Sequence, residues 1–201
     1  DDLRNQVFGL MLRPISSMFS IFPRTVRDLA ARSGKKVRLL VSGDAIEMDQ
    51  LAAENLSEPL IHIINNAVAH GIEIPEERLA AGKPKEAQIT IAATQKGAEV
   101  CIEVIDDGRG VDMDLLREKA IQSGIINSDE AEEMYASEVL ELIFHPGFST
   151  LSTATEAAGR GVGLNVVLNA MRELTGSVHI QTQAGKGCKF ILKLPVSTAI
   201  Q

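Results

Sequence analysis

Aromatic side chains are scarce in this chain of 201 residues, with no Trp and one Tyr, so any core must be built from aliphatic side chains. No apolar run reaches the roughly 20 residues that a bilayer span requires, and no signal-peptide pattern opens the chain. A cytoplasmic protein with no direct membrane insertion is therefore expected. Basic residues are in deficit, 20 against 27 acidic ones for a net charge of -7, which leaves no electrostatic footprint for nucleic acid. Only two cysteines occur, Cys101 and Cys188, each within an alternating apolar run and without a second Cys at metal-ligand spacing; both are expected to be core thiols. A phosphate loop of the form G-x-x-x-x-G-K-[ST] is missing, and no strand directly precedes the glycines at 161–163, so neither common nucleotide-binding fold applies. What remains is a chain that is 45% hydrophobic, enough for one ample domain with or without an appendage.

The most informative stretch runs from Pro59 to Gly71. Leu60, Ile64 and Val68, with Ile61 and Ala67 beside them, recur at the helical period and predict a helix over 49–70 with one buried face. His62, Asn66 and His70 follow at i, i+4 and i+8 on another face, each step turned by about 40° from the last. An acid/base group and an amide oxygen one turn apart can serve a phosphate and its metal; a plain solvated face is the alternative. Gly71 is expected to close the helix in a left-handed cap, with Pro75 just beyond.

Elsewhere, residues 24–32 read as a helix and 36–42 as a strand, and a polar loop with Gly and Pro runs through Lys85. Hairpins are predicted over 88–94 with 99–105, and over 177–183 with 188–195. Helices are predicted over 113–123, 137–144 and 164–174. Between 145 and 160 no apolar period holds, which marks a long loop of the kind kept for function. The interleaving gives a two-layer α/β sandwich, a mixed sheet with helices on one face.

Two glycine-rich turns need a reason. Gly108 and Gly110 directly follow a strand and let the backbone approach a flat ligand, while Asp106 could accept from an exocyclic amine such as that of adenine. Gly161 and Gly163 open a helix whose free N–H groups and positive end suit an anion such as phosphate. Taken singly, each turn also fits an ordinary structural role.

Together these motifs resemble the Bergerat ATP-binding fold of the gyrase, chaperone, histidine kinase and MutL superfamily. I-H-I-I-N-N-A-V-A-H-G-I-E is similar to its N box, D-D-G-R-G-V-D to the first G box, L-I-F-H-P-G-F-S-T to the F box and G-R-G-V-G-L to the second G box. Within the superfamily the chain resembles the CheA-type chemotaxis histidine kinases, a likeness that includes F-P-R-T-V-R-D-L-A, A-G-K-P and F-I-L-K-L-P-V and so covers nearly all of it. The resemblance implies residues 1–23 as the tail of a dimerisation region and 24–197 as the ATP-binding kinase domain, with a lid over 145–160. A receptor-coupling domain is expected beyond Pro195.

By the same resemblance Asp106 holds the adenine amine, Gly108 and Gly110 shape the base pocket, and Asn66 coordinates Mg²⁺. His62 and His70 face the phosphates as catalytic residues, with His62 the acid/base candidate. Gly161 and Gly163 offer backbone donors to the triphosphate beside Arg160, while Phe144 and Phe148 pack the lid or simply the core. His145 and His179 are expected at solvated positions. Two departures from the family pattern bear on catalytic rate: Ala69 stands where an Asp commonly precedes the last N-box histidine, and residues 151–158 lack the usual lid Lys.

No histidine precedes His62, so the resemblance implies transfer of the γ-phosphoryl group of ATP to a histidine on a separate phosphotransfer domain. Further implied partners are a coupling protein and receptor array, reached through a regulatory domain, and a downstream response regulator. The full-length protein is expected to be a homodimer and this chain a monomer. Alternatives are a catalytically weak, nucleotide-responsive scaffold or an ATP hydrolase; the hydrolases carry a base glutamate where this chain has His62.

Overall fold

The computed structural model describes residues 12–43, 45–146, 148 and 163–196. Two short strands, β1 (Leu12–Pro14) and β3 (Glu47–Asp49), pair with each other. The main sheet has the order β2-β4-β5-β7-β6, formed by β2 (Val37–Ser42), β4 (Ala87–Lys96), β5 (Glu99–Asp106), β6 (Ser177–Gln183) and β7 (Gly187–Pro195). Only β2 with β4 is parallel; the other three pairings are antiparallel, which makes the sheet mixed, as the sequence predicts.

Alternation along the strands decides which face is covered. In β4, Ala87, Ile89, Ile91 and Ala93 are buried while Gln88, Thr90 and Ala92 look to the other side. In β5 the buried series is Val100, Ile102, Val104 and Asp106, so the strand's period of two carries a carboxylate onto the core face at its last residue. Cys101 belongs to the opposite series and is half-buried, which corrects its expected place in the core. Cys188 is also only half-buried, beside Asp106, and burial followed by that carboxylate pushes its thiol up to about 11.

The main helices are α1 (Ser16–Phe19), α2 (Phe22–Arg32), α3 (Gln50–Asn66), α4 (Pro75–Ala80), α5 (Met113–Gln122), α6 (Ser128–Glu133), α7 (Ala136–Glu141) and α8 (Asn165–Glu173). The long helix α3 is the spine of the helical layer. Its first turn is capped by Asp49, whose carboxylate accepts from the N–H of Ala52 at 3.0 Å, and Leu56, Leu60, Ile63 and Ile64 are fully buried. The core is aliphatic, with few aromatic members. Ile15, Met18, Phe19 and Phe22 join the same core, so residues expected as the tail of a neighbouring region pack into this domain.

Helices α4 and α6 are additions to what the sequence predicts. Pro75, taken as a stop beyond α3, instead opens α4, where its fixed φ and missing N–H do no harm. Asn127 and Glu130 form a reciprocal capping box that starts α6.

Candidate nucleotide site

The polar face of α3 ends in a wide turn. Residues Ala67–Gly71 wind as a π-helical turn, and Lys35 reaches across from the loop before β2 to close it, its Nζ donating to the carbonyls of Val68 at 2.6 Å and Ala69 at 2.8 Å. Gly71 is not in the left-handed region, which corrects the expected cap. Its lack of a side chain serves another need: a Cβ there would stand 3.3 Å from Oδ1 of Asp106.

The π turn also changes the angular step between Asn66 and His70. His62 and Asn66 are half-buried and His70 is exposed, and the two histidines feel different charges. Burial holds His62 below the usual imidazole value, with Glu58 opposing; His70 is lowered by partial burial and then by Lys35, Lys119 and Arg109. The even 40° stagger that i, i+4 and i+8 suggested therefore does not continue from Asn66 to His70. Lys35, Lys119 and Arg109 put positive charge near His70.

At the end of β5, Asp106 is 5% exposed, and its Oδ1 accepts from the N–H of Gly108 at 2.9 Å. Burial chiefly raises this carboxyl to about 6; hydrogen bonds from the amides of Gly108 and Cys188 oppose the rise, and the charges of Asp107 and Glu73 add to it. Gly187, at φ +100°, packs so closely that a Cβ would lie 2.9 Å from the amide of Gly108. Gly71 and Gly108 thus bring bare backbone up to one carboxylate, and Gly187 packs against the main chain of the same residue. Gly110 takes φ +73° against Gln183, and Thr182 locks the turn there, its hydroxyl accepting from Val111 N–H at 2.9 Å and donating to the Gly187 carbonyl at 3.0 Å.

A cleft of about 270 Å³ opens beside Asp106, lined by Ile105, Thr182, Lys186 and Cys188 among others, and one of about 790 Å³ lies past Gly110 against Val111, Met113 and Leu140. Neither is lined by His62, Asn66 or His70.

Phe144 and Phe148 are buried in the core, at 6% and 5% exposure, so both anchor the start of the expected lid. Gly163 lies against the carbonyl of Phe148 and leads into α8, whose N-cap residue Leu164 gives no side-chain cap. Arg160, Gly161 and all of the lid except residues 145, 146 and 148 lie outside the described residues. His145 and His179 are exposed, as expected.

Residues 55–198 match the family model described as histidine kinase-, DNA gyrase B-, and HSP90-like ATPase. The chain belongs to this ATPase family. Its similarity to named relatives is also high: 42% identity over 98% of its length to the chemotaxis protein CheA of Halobacterium salinarum, and 40% over 99% to the sensor histidine kinase CheAY of Helicobacter pylori. It spans 30% and 25% of those two proteins. Among solved structures, the catalytic domain of histidine kinase ThkA matches 91% of this chain and 90% of its own, at a TM-score of 0.55 and 16% identity. The histidine kinase domain of the Erythrobacter litoralis EL346 blue-light activated histidine kinase also gives 0.55, at 12% identity over 91% of this chain and 61% of its own. These two likenesses establish the family's fold for the mixed sheet and its helical layer.

Proposed function

We propose that this member of the ATPase family is the ATP-binding catalytic domain of a chemotaxis-type histidine kinase. It moves the γ-phosphoryl group of ATP to a histidine on a separate phosphotransfer domain. The observation that carries this reading is the buried carboxylate of Asp106 with glycine backbone packed about it, a place where a flat base can lie against main chain and offer an amine.

In this reading Asp106 accepts from the adenine amine and Gly108 and Gly110 give the base room. Arg160 and the backbone of Gly161 and Gly163 meet the phosphates. The lone pair of the acceptor imidazole attacks the γ-phosphorus in line, the new N–P bond forms as the bond to the β–γ bridging oxygen breaks, and ADP leaves. His62, held neutral by its burial, takes the proton that the acceptor ring sheds.

Asn66 suits Mg²⁺. Its half-buried amide makes no hydrogen bond with the described residues, and Mg²⁺ keeps several waters and takes further oxygens from phosphates, so one protein oxygen is an adequate contribution. When bound, the ion supplies positive charge to the phosphate oxygens.

The whole protein would be a homodimer in the cytoplasm, joined to receptors through a coupling protein and feeding a response regulator. Among the described residues no helix is long and apolar enough to cross a membrane. Calorimetry with ATP tests the site: Asp106→Asn should weaken binding by roughly 1 to 3 kcal/mol, because a donor then faces the base amine. Unchanged affinity would remove Asp106 from the site.

A further inference from the structure

Arg78 has no exposed surface, which is rare for an arginine and demands partners. It has four. Its guanidinium donates to Glu73 at 3.1 Å, to the carboxylate of Asp107 at 2.8 Å, to the carbonyl of Asp107 at 3.2 Å and to the carbonyl of Pro84 at 2.7 Å. Lys83 works on the same turn, with Nζ at 2.8 Å from Glu73, 3.0 Å from the carbonyl of Asp107 and 2.7 Å from that of Gly108. Both cations are spent on the backbone of the first glycine turn.

The peptide between Asp107 and Gly108 is held from both sides. Its carbonyl takes hydrogen bonds from Arg78 and Lys83, and its N–H donates to Oδ1 of Asp106. Glycine puts little resistance in the way of a peptide flip, because both signs of φ are open to it. A flip would carry the N–H away from Asp106 and leave its carboxylate to the Cys188 amide, with one hold fewer on its orientation. The two cations oppose that flip by binding the far end of the same plane.

The geometry points to Arg78 and Lys83 as positioning residues for nucleotide recognition: they lock the Asp107–Gly108 peptide so that the Asp106 carboxylate stays aimed at an exocyclic amine. The inference rests on the assignment of Asp106 to the adenine base. Its signature is selectivity rather than affinity alone. A structural defect weakens all nucleotides alike, whereas a carboxylate with one hold fewer on its orientation loses its preference for an amine over a carbonyl at that position of the base.

The test compares binding of ATP with that of inosine triphosphate, which carries a carbonyl in place of the amine, to the wild-type chain and to Lys83→Met and Arg78→Lys. Lysine concentrates its donors on one atom and cannot span Glu73, Asp107 and Pro84 together, so Arg78→Lys keeps the charge and loses the clasp. Lys83→Met is the safer variant, since the Lys83 side chain is 16% exposed and Met keeps its stem. The wild-type chain should prefer ATP by about tenfold or more, and each variant should bring the preference under about threefold. If Arg78→Lys does not fold, Lys83→Met decides alone. A wild-type preference that survives in the folded variants overturns the role of the clasp. A wild-type chain with no preference strikes down the assignment of Asp106 to the base, and the inference with it.

Discussion

The backbone N–H of Arg109 donates to the carbonyl of Gly71 at 2.8 Å, tying the turn after β5 to the end of α3. The N-box helix and the first glycine turn, far apart in the chain, therefore share a main-chain bond. A side chain at either Gly71 or Gly108 would press on this junction and on the Asp106 carboxylate beside it. The bond couples the position of the turn, with Asp106 beside it, to the helix end that carries His70.

Asp106 should cost the fold stability at neutral pH. Its carboxyl is raised from 3.8 to about 6, so the native chain holds this proton more tightly than the unfolded chain and loses stability as pH climbs through that window. The loss is roughly 3 kcal/mol above pH 6. Asp106→Asn should therefore unfold at a higher urea concentration than wild type at pH 7.5, with the gain shrinking toward pH 4. An equal or lower midpoint at pH 7.5 would show that the burial cost is offset elsewhere.

Asn66→Ala should leave metal-free nucleotide binding within about twofold of wild type and reduce the strengthening that Mg²⁺ gives, because a methyl group offers a hard cation no oxygen. Titration with ATP in EDTA and again in Mg²⁺ separates the two effects. A full Mg²⁺ response in the variant would clear Asn66 of a metal role.

Lys35→Met should destabilise the chain by about 1 kcal/mol, since the carbonyls of Val68 and Ala69 lose a charged donor but remain near solvent. Urea unfolding checks this. No change in midpoint would mean that water replaces the ammonium group without loss.

The hairpins and the long helix were legible because their side-chain periods are simple: Ile89, Ile91 and Ala93 alternate, and Leu60, Ile64 and Val68 repeat one turn apart. Asp106 was legible as a candidate because a carboxylate before D-G-R-G has a chemical use, and the structure buries it at the end of β5 beside Gly71 and Gly108. Arg78 was not. It lies in a polar stretch, P-E-E-R-L-A, whose composition reads as solvated loop, and only the return of β5 brings Asp107 to it. Gly71 was noticed for the wrong reason, since a helix end and a close approach ask for the same residue. The π turn left no mark in the apolar pattern, because Ala67 and Val68 still face the core through it.

The central claim is transfer in trans. The wild-type chain should be incubated with γ-labelled ATP, Mg²⁺ and a histidine phosphotransfer domain from a chemotaxis kinase, and the label followed on both polypeptides. The account predicts acid-labile phosphate on the histidine of the added domain, little on this chain, and a large reduction in the Asp106→Asn variant. Stable labelling of His62, His70, His145 or His179 would contradict transfer to a separate domain, as would ATP bound or hydrolysed with no phosphate on the added histidine.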